Sequence, residues 1–599
     1  MGGEVIRAAL RVALLVAVVV PGTAPAADTG HAHGPPGDLA GWAQGAQLFS
    51  GLGNFHRAAG TSSPEAQAYF DQGMRLMYAF NHDEATRSFA HAAELDPDCV
   101  ACYWGFALTV GPNYNMTHVP SVRVRAAFEA LATARAHLSH AAPVEAALIE
   151  ALARRYPSAE AAPQGEREVL LAAYAQAMRE VAARFPADDD VQVITAEAQM
   201  TVHAWRMWTP QGEPVADTAD IEARLERVLA RNPQHPGANH YYVHVMEESP
   251  LPQKAVPAAE RLTGMMPAAG HLEHMPAHIM QRVGRYEEAA EANRRGAAAD
   301  RAYLAAGAAP DYYPMYYAHN LEFLAFSAAM EGRKAEVLSA VAELRAALPD
   351  AMLIQMKESG WHTAASYAAL VRFGLWDELI ALDPPDARLP GARAAYFFGH
   401  GMGLAARGSL PEARAALEQL RALGQSVDPG VQAGENRLRD LIAVAVPVLS
   451  ARIAATAGDN AAATAALTQA VAAEDRLGYD EPADWFFPVR HLLGAQLLID
   501  GEPRAAEAVY LEDLRRNPAN GWSLYGLSQA LRAQGKARAA RAREREHRVA
   551  WQYADVRLTG SAFWYAGADT TSCECQRFAS ADRETGGELL GAQHEARVH

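Results

Sequence analysis

The chain repeats one histidine pattern at a fixed distance. His240-Tyr-Tyr-Val-His244 and His274-Met-Pro-Ala-His278 each place two imidazoles four residues apart, and the second pair follows the first by 34 residues. A spacing of four puts both rings of a pair on one face of a helix. An offset of 34 matches a two-helix unit of a stacked array, in which equivalent positions of neighbouring units fall side by side. A chain that obeys both spacings gathers four imidazoles in space, although no local motif announces them.

From Ser63 onward, Ala- and Leu-rich segments of about 12 to 16 residues alternate with short Gly, Pro, Asn or Asp breaks, without sustained strand-type alternation, so the class is all-α. Within this pattern Gly73, Ala85, Phe89, Ala92 and Pro97 resemble the small-residue, aromatic and terminal-proline signature of the tetratricopeptide repeat family. Small residues let two helices cross closely, an aromatic ring fills the gap, and proline stops the second helix. The frame recurs at Val243, Ala255 and Pro267, then at Ala277 and Ala289 around Gly284. It returns at Ala325 with Gly332 and Pro349, at Gly401 with Gly408 and Ala413, and at Gly494 with Gly501, Ala506, Tyr510 and Pro518. The resemblance, to a secreted bacterial type with degenerate repeats, implies a right-handed superhelical solenoid over residues 63–565. Its first helices would line a concave groove that takes a peptide, a protein or a small molecule.

The ends read differently. Residues 1–27 have the form of a signal peptide: Arg7 and Arg11, an apolar run from Val12 to Val20, then Ala24-Pro-Ala-Ala27. That run is short of the ~20 residues a membrane span needs, so the expectation is an exported chain, periplasmic or secreted, with no span after cleavage. Residues 28–62, rich in Gly, Pro and His, read as a flexible leader, and 566–599 as an irregular or disordered tail. The net charge of −17 argues against nucleic-acid binding, and the basic stretch from Arg532 to Arg548 reads as a solvated helix face. In an oxidising compartment Cys99/Cys102 and Cys573/Cys575 are expected to form disulfides within or between the pairs, with a redox or metal role as the sharper option.

The histidines carry the chemistry. His240 and His244 share a stripe with Glu247, and His271, His274 and His278 form the equivalent stripe on the next first-helix. Aligning Gly284 with Gly332 puts His319 at the His271 position and Glu322 at the His274 position; aligning it with Gly501 puts His491 there too. By the family resemblance, His240, His244, His271, His274 and His278 occupy groove-facing positions. Imidazoles reaching in from helices about 8 to 10 Å apart could share copper, zinc or iron, with Glu247 or Glu322 as a carboxylate ligand. Met246, Met275 and Met280 adjoin the cluster, though methionine at helical spacing is more often packing. The alternative is a metal-free scaffold whose histidines hydrogen-bond a partner.

Compact catalytic signatures are lacking: there is no H-E-x-x-H, no G-x-S-x-G and no phosphate loop, so no nucleotide cofactor is expected and an enzymatic role stays open. Two aromatic insertions, Tyr312 to Tyr317 and Gly478 to Pro488 with Trp485, Phe486 and Phe487, could cover the groove or simply pack on the solenoid.

Overall fold

Helical hairpins build the whole fold, and the first shows how the sequence specifies them. Ser63 Oγ accepts the Ala66 amide at 3.2 Å and Pro64 stands at the first helical position, which together start the helix Pro64–Tyr78. Asn81 Oδ1 accepts the Glu84 amide at 3.3 Å and caps the returning helix His82–Leu95. The computed structural model describes residues 35–307, 309–310 and 312–563. Among them are 27 α-helices and a single two-residue antiparallel ladder, Gln432–Ala433 with Asn436–Arg437. No described helix is long and apolar enough to cross a membrane. The signal-peptide segment, the tail and Cys573/Cys575 lie outside the described residues.

Close packing inside a hairpin depends on glycine notches. A Cβ on Gly73 would stand 2.7 Å from the Phe89 ring, and one on Gly105 would stand 2.5 Å from it, so the buried ring occupies space that two glycines vacate. Tyr510 repeats the arrangement between Gly494 and Gly526, where a Cβ would come within 2.3 Å of its ring. The same contact at both ends of the chain is direct evidence of one repeated unit.

The turn between the two helices of a repeat closes by a bond from the amide after the left-handed residue to a carbonyl five residues earlier. Arg285 bonds Met280 at 2.7 Å around Gly284, and Arg333 bonds Ala328 at 3.0 Å around Gly332, with φ of 78° and 73° at the glycines. In the first repeat the Asn81 amide bonds the Leu76 carbonyl at 3.0 Å, and the left-handed residue is Phe80, at φ 55°. A side chain in that conformation costs about 1–2 kcal/mol.

Two large apolar clusters follow the array, one from Trp42 to Ala292 with Phe323, the other from Tyr286 to Trp522. The array curls far enough for distant repeats to touch. Trp522 Nε1 donates to the Ala329 carbonyl at 2.8 Å, and the Asp555 carboxylate accepts the Lys334 and Ala335 amides at 2.7 and 2.8 Å.

Residues 35–62, expected from composition to be loose, are largely exposed but anchored at a few points. Trp42, Leu52 and Ala59 are buried, and Arg57 pairs with Asp188 and Asp190 at 2.9 and 2.7 Å. A few anchors hold this stretch, which its Gly and Pro content conceals. Cys99 and Cys102 are joined by a disulfide at the start of the helix Val100–Thr109. The basic helix Ala537–Ala550 buries only Ala540.

Candidate metal centre

The helix Pro236–Glu247 carries His240, His244 and Glu247 along one stripe. The second stripe lies on Gly270–His274 and Pro276–Arg282, short helices joined through Met275, whose backbone is itself helical. Proline at 276 lacks the amide that would continue the ladder, which accounts for the break. Two glycines seat this segment against the returning helix Tyr286–Ala305. A Cβ on Gly296 would lie 2.9 Å from His274 Cβ, and one on Gly270 would collide with Asp300. Asp300 in turn accepts Tyr313 Oη at 2.8 Å and Asn320 Nδ2 at 2.6 Å, pinning the helix Tyr313–Met330 that bears His319.

Six histidines meet here. Ring centroids are 4.9 Å apart for His240–His244, 5.0 Å for His240–His271, 5.3 Å for His271–His274, 4.7 Å for His274–His278 and 4.9 Å for His274–His319. Contrary to the expectation of an open groove, most of the cluster is enclosed: His240 and His274 are 0% exposed, His244 1%, His278 2% and His271 8%, while His319 is half-buried. Phe80 stacks on His244 and His271 and packs tilted against His240, with centroids 5.5, 5.4 and 4.5 Å away. Tyr114 and Trp205 cover His244, and Phe323 lies under His274, His278 and His319. Both aromatic insertions take part. Tyr316 meets His271 at 5.5 Å, and the 478–488 loop delivers Glu481 to His278.

Hydrogen bonding fixes the tautomers. His240 Nδ1 lies 2.6 Å from the Tyr78 carbonyl, and His244 Nδ1 lies 3.1 Å from Glu247 Oε1. His274 Nδ1 lies 3.2 Å from Asn293 Oδ1, an oxygen held in that orientation because Asn293 Nδ2 donates to the Ala289 carbonyl. His278 Nδ1 faces two carboxylates, Glu247 Oε2 at 2.8 Å and Glu481 Oε2 at 3.0 Å. Carbonyl and carboxylate oxygens only accept, so all four Nδ1 atoms carry hydrogen and the Nε2 lone pairs point into the cluster. There His240 Nε2 meets His271 Nε2 at 3.1 Å, and His274 Nε2 meets His278 Nε2 at 3.1 Å. His244 Nε2 and His271 Nδ1 are buried without a hydrogen-bond partner.

Protonation follows from this packing. Burial, then the charge of neighbouring imidazoles, holds His240, His271 and His274 well below the ordinary imidazole range. Burial lowers His244, and burial with His278 brings His319 down to about 3. His278 goes the other way: burial opposes its charge, but Glu247 and Glu481 raise it to about 10. In the His274–His278 pair, where both rings carry hydrogen on Nδ1, Nε2 atoms 3.1 Å apart need a cation between them, a proton or a metal ion. Tetrahedral coordination at about 2.05 Å separates two ligand nitrogens by about 3.3 Å, so both short pairs fit one ion's first coordination sphere.

Other residues singled out by the sequence lie elsewhere. Glu322 stands outside the cluster, its carboxylate 3.4 Å from His362 Nδ1. The longer spacing before the Tyr313–Met330 helix sets His319 against His274 and His278, which carries Glu322 one turn too far. His491 belongs to a separate buried network, 2.9 Å from Asp513 and 2.8 Å from Arg372. Met246, Met275 and Met280 are buried in the first apolar cluster. Conversely Glu481, Asn293 and Phe80 were not foreseen; Glu481 alone had a signal, its place in an aromatic insertion.

No family model matches the chain, and no curated protein does. Loose likenesses exist among solved structures. An APC/C Cut9–Hcn1 hetero-tetramer is 15% identical, over 80% of this chain and 79% of that one, with a TM-score of 0.29. The human IFIT1 dimer with m7Gppp-AAAA is 12% identical over 83% and 92%, at 0.28, and yeast Tom70 is 10% identical over 81% and 90%, at 0.27. Likenesses at such scores carry no argument about this chain. Its own hairpins, the 34-residue offset and the recurring glycine–aromatic notch make it an all-α helical-repeat solenoid of the tetratricopeptide type.

Proposed function

We propose that this protein is an exported solenoid whose enclosed histidine cluster holds a transition metal, for metal handling or metal-dependent chemistry. One observation carries the reading: four imidazoles have Nδ1 committed to oxygen acceptors, which turns their Nε2 atoms toward neighbouring imidazoles. Orientation of metal-ligating histidines through the other ring nitrogen is the general device of such sites. The buried Nε2 left without a partner at His244 costs about 1–3 kcal/mol, which an ion would recover.

Metal would be held by histidines of this cluster, His240, His244, His271, His274, His278 and His319, with Glu247, Glu481, Asn293 and the Tyr78 carbonyl as orienting groups. The all-imidazole set suits zinc, copper or iron. A bound ion with a free position supplies Lewis acidity or an activated water. The aromatic wall of Phe80, Tyr114, Trp205 and Phe323 limits access of bulk water and keeps five of the imidazoles neutral, the form that ligates, while Glu247 and Glu481 favour the charged form of His278. Export is supported by the apolar N-terminal run and by the joined Cys99–Cys102 pair, which needs an oxidising compartment to persist. The metal-free scaffold reading draws on the fold class, but four of the six imidazoles, at 0–2% exposed, do not reach a peptide in a groove.

The test is elemental analysis of the chain purified without a His tag, beside a His240→Ala/His274→Ala variant. Near-stoichiometric copper, zinc or iron in the parent and none in the variant is expected. No metal in either, after reconstitution and dialysis, refutes the reading and leaves a proton on His278 as the cation between the rings.

A further inference from the structure

The six imidazoles do not converge on one point. Their ligand atoms fall into two sets, His240/His244/His271 and His274/His278/His319, and within each set all lie within 4.8 Å of one another. One ion bound by six nitrogens at about 2.0–2.1 Å would need every pair within about 4.2 Å. The two sets share a plan. Each contains one close pair, His240 with His271 and His274 with His278, both with Nε2 atoms 3.1 Å apart, and each adds a third ring.

The sets also adjoin. His271 and His274 are 5.3 Å apart between centroids, His244 and His278 6.0 Å. Glu247 spans the boundary: Oε1 lies 3.1 Å from His244 Nδ1 and Oε2 lies 2.8 Å from His278 Nδ1. One carboxylate therefore orients a histidine in each set. It also supplies negative charge, with Glu481, where a second cation would otherwise be repelled.

Resting on the metal reading above, we propose that the cluster is a dinuclear centre with one ion per histidine trio and Glu247 as the shared orienting anion. Three protein ligands per ion leave a position open at each, so the pair takes a small exogenous ligand such as water, hydroxide or a small anion.

Copper(II) added to the metal-free full chain distinguishes the possibilities. The expected result is two equivalents retained after dialysis, with an electron paramagnetic resonance signal integrating to well under two, because adjacent copper(II) ions couple. His240→Ala/His244→Ala and His274→Ala/His319→Ala should each retain one equivalent, and that single ion should become fully visible in the spectrum. Circular dichroism checks that both variants fold; if either does not, Glu247→Gln replaces it and should raise the visible fraction without removing a ligand. One equivalent in the parent, lost equally from either variant, overturns the dinuclear centre while keeping a metal site. Two equivalents that integrate fully in the parent also overturn it, and no retention at all overturns the underlying metal reading as well.

Discussion

Phe80 stands where the equivalent turns use glycine, and the structure gives both sides of the energy balance. Its left-handed backbone costs about 1–2 kcal/mol. Its ring is 3% exposed, stacks on His244, His271 and Tyr241, and packs tilted against His240. Truncating a buried phenylalanine costs about 3–5 kcal/mol. Phe80→Gly relieves the strain and loses the ring, so the net destabilisation is about 1–4 kcal/mol. Gly408→Ala calibrates the strain alone: φ there is 80° and an added Cβ meets nothing within 4 Å, so its cost of about 1–2 kcal/mol is purely conformational. Native-state hydrogen exchange reads both variants, at the amides of Pro64–Leu95 and of Leu410–Ser426 respectively. A loss of 1–4 kcal/mol is about 5-fold to 800-fold faster exchange where opening limits it. Phe80→Gly exchanging as slowly as the parent, while Gly408→Ala shows its expected cost, would refute the claim that ring packing retains the strained turn.

Gly73→Ala should lower the thermal midpoint, because Phe89 is boxed by Gly105 on its far side and cannot retreat; the expected cost is about 1–3 kcal/mol, partly recovered by adding Phe89→Leu, and an unchanged midpoint counts against the notch. Acid should destabilise the N-terminal hairpin through Asp190. Burial pushes its carboxyl up, but His235, Arg57 and Tyr78 outweigh that and hold it near 2. A folded value below the unfolded one, about 3.9, means this stabilisation is present above pH 4 and drains away as pH falls toward 2. Midpoints measured from pH 6 to 2 should fall more steeply in the parent than in Asp190→Asn; parallel curves would remove Asp190 from the account.

Much of this was legible because repeats make distant residues local. The 34-residue offset alone predicted that His240, His244, His274 and His278 would meet, and the turn glycines brought His319 in. What stayed hidden depends on accumulated geometry. Glu481 lies 203 residues from His278 in sequence, and their contact follows from many small rotations between repeats, none written in any one of them. Register after an irregular spacing was equally opaque, which is why Glu322 was expected beside His319's partners and pairs with His362 instead. The enclosure escaped notice since Phe80 sits at a position where a turn residue is the ordinary reading.

A helical solenoid is mechanically a spring, its units touching only their neighbours, and springs of this kind yield by opening end to end. Here struts cross the coil: His278 to Glu481, Trp522 to Ala329, and Asp555 to the start of the Lys334–Ala347 helix. Cross-bracing turns the spring into a rigid frame. Extension would have to break these polar contacts together before any turn could widen, so the molecule resists stretching, and whatever the imidazoles hold is gripped by the frame as a whole.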